Sequence, residues 1–245
     1  MSCGRALRAG ALAAALFLGA PGPAGAGDHP GPDGADELVA RVLDAYGGLE
    51  ALAGVAAYRM EGTVSAAMRK SAGDMVRTFA RPARLRVELN YPTEPETRIL
   101  DGRQGWRTDT SGKTGPVEGM LLGSMVLQAA RANLPWLLDE RRGGLTLLPP
   151  MDGGRTAGLE LALGEGLSLT VYVDAATGRI FRSTGILAEG GTKTAFTAEY
   201  SDFRPVEGVL FAFRERTWAA GMPTGETVIS KVTLNPPLGP DAFRP

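Results

Sequence analysis

Few side chains in this sequence have the type and spacing that catalysis needs. There is one histidine, His29, and one cysteine, Cys3. His29 lies in GDHPGPDG (27–34), a Gly, Pro and acid stretch in which a solvated ring is expected. Without a cysteine or histidine in the core, no Cys–His pair, Ser–His–Asp set or typical zinc site can form. GGRTAG and GEGLS are rich in glycine but lack the strand-to-helix setting of a phosphate cradle. Paired carboxylates remain: Asp139–Glu140, followed by Arg141 and Arg142, and Glu199 with Asp202. Two carboxylates facing each other across a cleft could hydrolyse a glycosidic bond. Charges on strands, however, ordinarily form the wet face, and DERR reads as a solvated helix end whose arginines suit the macrodipole. The sequence therefore predicts no enzyme and assigns no catalytic, cofactor or metal residue.

The first 26 residues have their own grammar. MSCGRALR is a basic start, AGALAAALFLGA is an apolar run too short to span a bilayer, and Ala24-Gly25-Ala26 is a small-x-small cleavage pattern. Residues 1–26 are expected to be a secretory signal peptide cut after Ala26. A lipid-modified cysteine would follow the apolar run; Cys3 precedes it. The mature chain then has no cysteine and must be stable in an oxidising compartment through core burial alone. Cleavage removes two arginines and no acid, which lowers the formal net charge from −1 by two. That balance argues against a nucleic-acid partner, which needs a phosphate-neutralising surplus. No later apolar run approaches transmembrane length, so a soluble mature protein is expected.

The elements follow from periodicity. Residues 27–35 read as a flexible leader. Asp36 is a candidate N-cap for a helix with Leu38, Val39, Val42, Leu43 and Tyr46 on one face, stopped at Gly47-Gly48. The period then changes to two. Tyr58, Met60, Gly62, Val64, Ala66 and Met68 share one face of a strand, and Leu85, Val87, Leu89 and Tyr91 share one face of another. Residues 118–142 read as one or two helices divided or kinked at Pro135. LSLTVYVDAATGRIFRST (167–184) is a hairpin around DAATG, with Ile180, Thr184 and Ile186 on the returning apolar face and Arg182 interrupting it. About five strands precede the central helices and about seven follow, spaced as in an antiparallel meander.

A sheet that long curls, and its one apolar face needs a cover. The helices are too short to carpet a flat sheet but could plug a curved one. Four methionines (60, 68, 120 and 125) fall on the inferred inner face or the lid. Methionine suits surfaces that adapt to a ligand and also serves as core filler, so cavity and packed core both stay open. A cavity would suit hydrocarbon. At about 0.8 kcal/mol per methylene, a chain of about sixteen carbons contributes on the order of 10 kcal/mol before binding costs.

FARPARLRVELNYPTEPETRILDGRQGWRTD (79–109), with Arg81-Pro82 entering a strand and Asp101-Gly102 before Trp106, resembles the LolA-like outer-membrane lipoprotein-sorting proteins. VYVDAATGRIFR (171–182) and the tail VISKVTLNPPLGPDAFRP resemble the same family, and the match covers most of 36–245. The resemblance implies a single domain, an incomplete, half-open β-barrel of about eleven antiparallel strands under a helical lid. It also implies a periplasmic carrier of lipoprotein acyl chains or another lipid, with an inner-membrane donor and an outer-membrane acceptor as possible partners. In such carriers the arginine before that proline contacts the lid and helps control opening; Arg81 matches it. The Ala/Gly-rich second half and the opening AYGGLEALAGVAAYRMEGTV resemble a divergent branch. The expected lining is Met60, Val64, Leu85, Val87, Leu89 and Val171 from strands, with Met120, Leu121, Met125 and Trp136 from the lid. The rival reading is a periplasmic sensor or protein-interaction module with a filled groove.

Overall fold

The computed structural model describes residues 32–245 except Arg69 and Thr110. The expected signal peptide, with Cys3 and His29, lies outside the described residues. Helix α1 (Pro32–Ala45) begins four residues before the Asp36 cap that the sequence suggests, inside the expected leader. Proline's fixed φ and missing N–H suit a first helical turn. Leu38, Val39, Val42 and Leu43 are buried along one stripe, and α2 (Gly48–Ala53) follows at once.

Six strands then form a meander: β1 (Ala57–Ala66), β2 (Ser71–Ala80), β3 (Arg84–Asn90), β4 (Glu96–Asp101), β5 (Gln104–Thr108) and β6 (Thr114–Val117). Helices α3 (Gly119–Ala132) and α4 (Trp136–Glu140) come next, divided around Pro135 as the sequence predicts. Seven more strands complete the chain: β7 (Thr146–Met151), β8 (Thr156–Gly164), β9 (Leu167–Asp174), β10 (Ile180–Glu189), β11 (Thr192–Val206), β12 (Val209–Ala219) and β13 (Met222–Leu234). All thirteen make one antiparallel sheet in the order β6-β5-β4-β3-β2-β1-β13-β12-β11-β10-β9-β8-β7. The resemblance implies about eleven strands. Alternation misses β6 because TGPV has no repeating apolar face; its Pro116 is tolerated on an edge strand.

The pairing of β1 with β13 puts the chain's two halves at the middle of the sheet and leaves β6 and β7 as its free edges. The sheet is open, an incomplete barrel. Its inner face follows the predicted alternation: Tyr58 and Met60 on β1, Leu85, Val87 and Leu89 on β3, and Leu167, Leu169, Val171 and Val173 on β9 are all buried. The DAATG turn is tied by Asp174, whose Oδ1 accepts from the Thr177 amide at 2.8 Å and its hydroxyl at 2.7 Å. Gly178 takes φ +70°, and a Cβ there would lie 2.8 Å from the Arg41 carbonyl oxygen, so only glycine fits this turn against α1.

One strand departs from the expected register. The β9–β10 ladder shifts between Ile180 and Arg182, which is a bulge at Phe181. After it the inward set is Ser183, Gly185 and Leu187, all buried, whereas Thr184 and Ile186 are only partly so. Arg182 does not interrupt the apolar face; the bulge turns it outward onto Glu199 at 2.5 Å. Met68 is corrected too: β1 ends at Ala66, and Met68 is 75% exposed at the turn beyond it.

The β3 register gives a direct test. Leu89 is buried, while Glu88 faces outward beside Arg86 at 3.1 Å. Leu89→Glu should destabilise by about 3 kcal/mol or more, by burying a carboxylate without a partner. Glu88→Lys should cost under about 1 kcal/mol, as for an exposed ion pair. Denaturant titration of both variants checks the register; equal losses would reject it.

Candidate functional site

The segment that joins the two free edges also covers the concave face. α3 lies against β4, β5 and β10. Glycines let it sit close. A Cβ on Gly185 of β10 would fall 2.4 Å from Leu127 Cδ2, and one on Gly105 of β5 would fall 2.9 Å from Leu122 Cδ1. At the other end Tyr58 anchors the cover: its hydroxyl donates to the Ala132 carbonyl at 2.6 Å, and its ring meets Phe79 and Phe211 at 5.4 Å and Trp136 at 6.3 Å. Burial holds the Tyr58 phenol well above its ordinary pKa, so it remains a donor. Trp136 Nε1 donates to the Leu52 carbonyl at 2.8 Å, which fixes α4 to α2.

Arg81, at the start of the turn between β2 and β3, reaches the same helices. It donates to Glu140 Oε1 at 2.8 Å, and Asn133 Nδ2 holds the other Glu140 oxygen at 2.9 Å. The guanidinium also lies 5.8 Å from the Trp136 ring centroid. Arg81 therefore touches the lid. The remaining candidate carboxylates are bound on the outside: Asp139 to Arg142 at 2.8 Å, Glu199 to Arg182, and Asp202 to Arg204 at 2.7 Å.

Two cavities lie in the trough beneath the lid. The inner one, about 70 Å³, is lined by Met60, Leu134, Ile180, Phe211 and Ile229 and by the polar groups of Tyr46, Tyr58, Arg77, Gln128, Arg131, Tyr200 and Glu215. The outer one, about 330 Å³, has an apolar strip of Val64, Met75, Val87, Leu89 and Tyr91, charged side chains in Glu96, Arg98 and Glu226, and Met68 and Thr224 at its exposed end. Arg77, Gln128 and Glu215 line both and form a waist between them.

The waist carries a charge pair, and the outer cavity holds a second group of charges in Glu96, which is buried against Arg98 and Arg107. Arg77 NH1 donates to Glu215 Oε2 at 3.0 Å, with side-chain exposures of 13% and 14%. Arg77 lies on β2 and Glu215 on β12, with β1 and β13 between them. On a flat sheet three spacings of about 4.8 Å would separate the strands, so the contact requires curvature. Burial alone would push the Arg77 guanidinium down; Glu215 outweighs that and holds it above its ordinary value. Beside it, Tyr200 is pushed up to about 12 by burial and shares a 2.8 Å hydrogen bond with Ser183, to which Arg131 Nε donates at 3.0 Å. Such pairs are weak sources of stability: apolar replacement is often neutral, whereas loss of one partner costs about 3–5 kcal/mol.

The predicted lining residues are distributed unevenly. Met60 borders the inner cavity, and Val64, Val87 and Leu89 border the outer one. Leu85, Val171, Met125 and Trp136 are buried in packed core and line neither, and Leu121 is partly buried against that core. Met120 is corrected: it sits in the first turn of α3, 43% exposed, rather than facing the trough. Arg77, Gln128, Arg131 and Glu215 were missed. For two of them a signal was present: Met75-x-Arg77-x-Phe79 and Phe211-x-Phe213-x-Glu215 both carry the inward alternation through a charge.

No protein-family model matches the chain, and no curated protein matches it by sequence. Solved structures do share its fold. A LolA superfamily protein from Nitrosomonas europaea is 14% identical with a TM-score of 0.58, over 85% of this chain and 97% of that one. A DUF1329 family protein from Desulfovibrio piger is 9% identical with a TM-score of 0.55, over 86% and 96%. A domain described as an outer membrane lipoprotein-sorting protein, from Vibrio parahaemolyticus, is 9% identical with a TM-score of 0.53, over 87% and 97%. The chain thus has the LolA-like fold, an open antiparallel sheet under a helical lid.

The close seat of the lid can be tested at Gly185. Gly185→Val should cost about 1–3 kcal/mol, because Leu127 is fully buried and cannot withdraw. Leu127→Ala in the same chain should recover part of the loss in denaturant titrations; additive losses would mean that the two do not touch.

Proposed function

We propose that this protein is a periplasmic lipid- or lipoprotein-binding carrier that holds acyl chains under its lid, without catalysis, in outer-membrane lipoprotein or lipid sorting. The observation that carries the reading is the outer cavity, about 330 Å³, which runs along an apolar strip of Val64, Met75, Val87 and Leu89 and is bordered from α3 by Gln128. The LolA-like fold supports it, as do residues 1–26, which read as an export signal cut after Ala26. Loading takes place from an inner-membrane donor and release at an outer-membrane acceptor. A longer chain than the trough holds requires the lid to lift, and Arg81–Glu140 is the contact that resists lifting.

A second reading, a periplasmic sensor or protein-interaction module, is favoured by the packed state of the interior: Leu85, Met125, Trp136 and Val171 fill space that a large cargo would need. Mass spectrometry of gently extracted protein separates the two, since co-purifying lipid supports the carrier and its absence the module. In solution, palmitate or a lipopeptide should displace a neutral hydrophobic fluorophore from the mature protein, and failure of both would remove the carrier reading. Arg81→Leu should speed cargo release by more than its stability loss explains, as read by stopped-flow release beside thermal melting. A change in melting temperature alone would leave Arg81 a structural residue.

A further inference from the structure

The two cavities differ in size and charge in a way that an oily groove does not explain. The inner one, about 70 Å³, has room for a few water molecules and no hydrocarbon chain. The outer one, about 330 Å³, reaches the lower end of ligand pockets, about 300–1,000 Å³. Two guanidiniums and one carboxylate line the inner cavity, so it carries a surplus of positive charge. Arg131 donates to neutral oxygens, those of Ser183 and Phe196, and among the described residues it has no carboxylate partner. Arg77 gives one N–H to Glu215, and its Nε is buried without an acceptor. A guanidinium presents five donors in a fork that fits a carboxylate.

The geometry points to a head-first ligand: a single-chain amphiphile with a terminal carboxylate, its head between Arg77 and Arg131 and its tail along the outer cavity. This rests on the reading that the trough holds acyl chains and narrows the cargo to the fatty-acid class. The head matches the inner cavity in size and sign. The tail lies along the strip of Val64, Met75, Val87 and Leu89 and leaves past Met68; Glu96, Glu215 and Glu226 against Arg77 and Arg98 give this cavity a surplus of negative charge, which disfavours a carboxylate head there. A chain entering methyl end first would instead set hydrocarbon against a desolvated ion pair.

Displacement of N-phenyl-1-naphthylamine from the full mature protein tests this, with palmitate, 1-hexadecanol and hexadecyl phosphate as competitors. Palmitate should bind about tenfold or more tighter than hexadecanol, the increment expected of hydrogen bonds to a charged group. Glu215→Gln should tighten palmitate further, by freeing Arg77. The double variant Arg77→Met, Glu215→Leu removes the pair as a unit, leaves Arg131 as the one guanidinium of the inner cavity, and should lower the preference for palmitate over hexadecanol by about threefold or more. Equal binding of the two by the unaltered protein overturns the head-first ligand while the acyl-chain reading stands. An undiminished preference in the double variant overturns the role of Arg77. Hexadecyl phosphate competing as well as palmitate overturns the assignment to a carboxylate; displacement by the lipopeptide but by none of the three overturns the head-first ligand alone, and displacement by none of the four overturns both readings.

Discussion

One constraint organises the molecule: a long antiparallel sheet with a single apolar face has to curl and has to be covered. The chain meets both needs with its connectivity. Because β1 pairs with β13, the two halves grow outward from the centre and end at β6 and β7. The link between those edges has to cross the open side, and α3 and α4 are that link. Cover and closure are therefore the same segment, and whatever lifts the helices also opens the trough. This follows from topology, before any side chain is considered.

Side chains then decide how firmly the cover sits. Gly105 and Gly185 remove the bulk that would hold α3 away from the sheet, and the rings around Tyr58 anchor its far end. The polar ties at that end are few: Tyr58 to Ala132, Trp136 to Leu52, and Arg81 with Asn133 on Glu140. The rest of the contact is apolar packing of α3 and α4 on the sheet.

Beneath the lid, the interior is not uniformly oily. The Arg77–Glu215 pair stands between a small cavity with a surplus of positive charge and a larger one that sets Val64, Met75, Val87 and Leu89 beside Glu96, Arg98 and Glu226. A desolvated pair adds little to stability, and this one is not the only charge on the concave side, since Glu96 is buried there against Arg98 and Arg107. The solved structures that share the fold span nearly the whole of their own chains in the match, at identities of 9–14%. At such distances the backbone plan persists and the lining is free to change.

The sequence by itself determined the sheet. Alternation in LRVELNY and LSLTVYV assigns each inward residue, because strand side chains have a period of two and only one face here is apolar. It also determined the covering helices and their division at Pro135. Three things needed tertiary structure. The Phe181 bulge reverses the faces of β10 after Ile180, since one inserted residue shifts a ladder without altering composition. Met68 and Met120 lie past the ends of useful alternation, where apolar type no longer reports direction. Arg77 and Glu215 lie 138 positions apart on strands that do not pair with each other. Each was legible as an inward charge, but their meeting was not, because only the curvature of the assembled sheet brings them into contact.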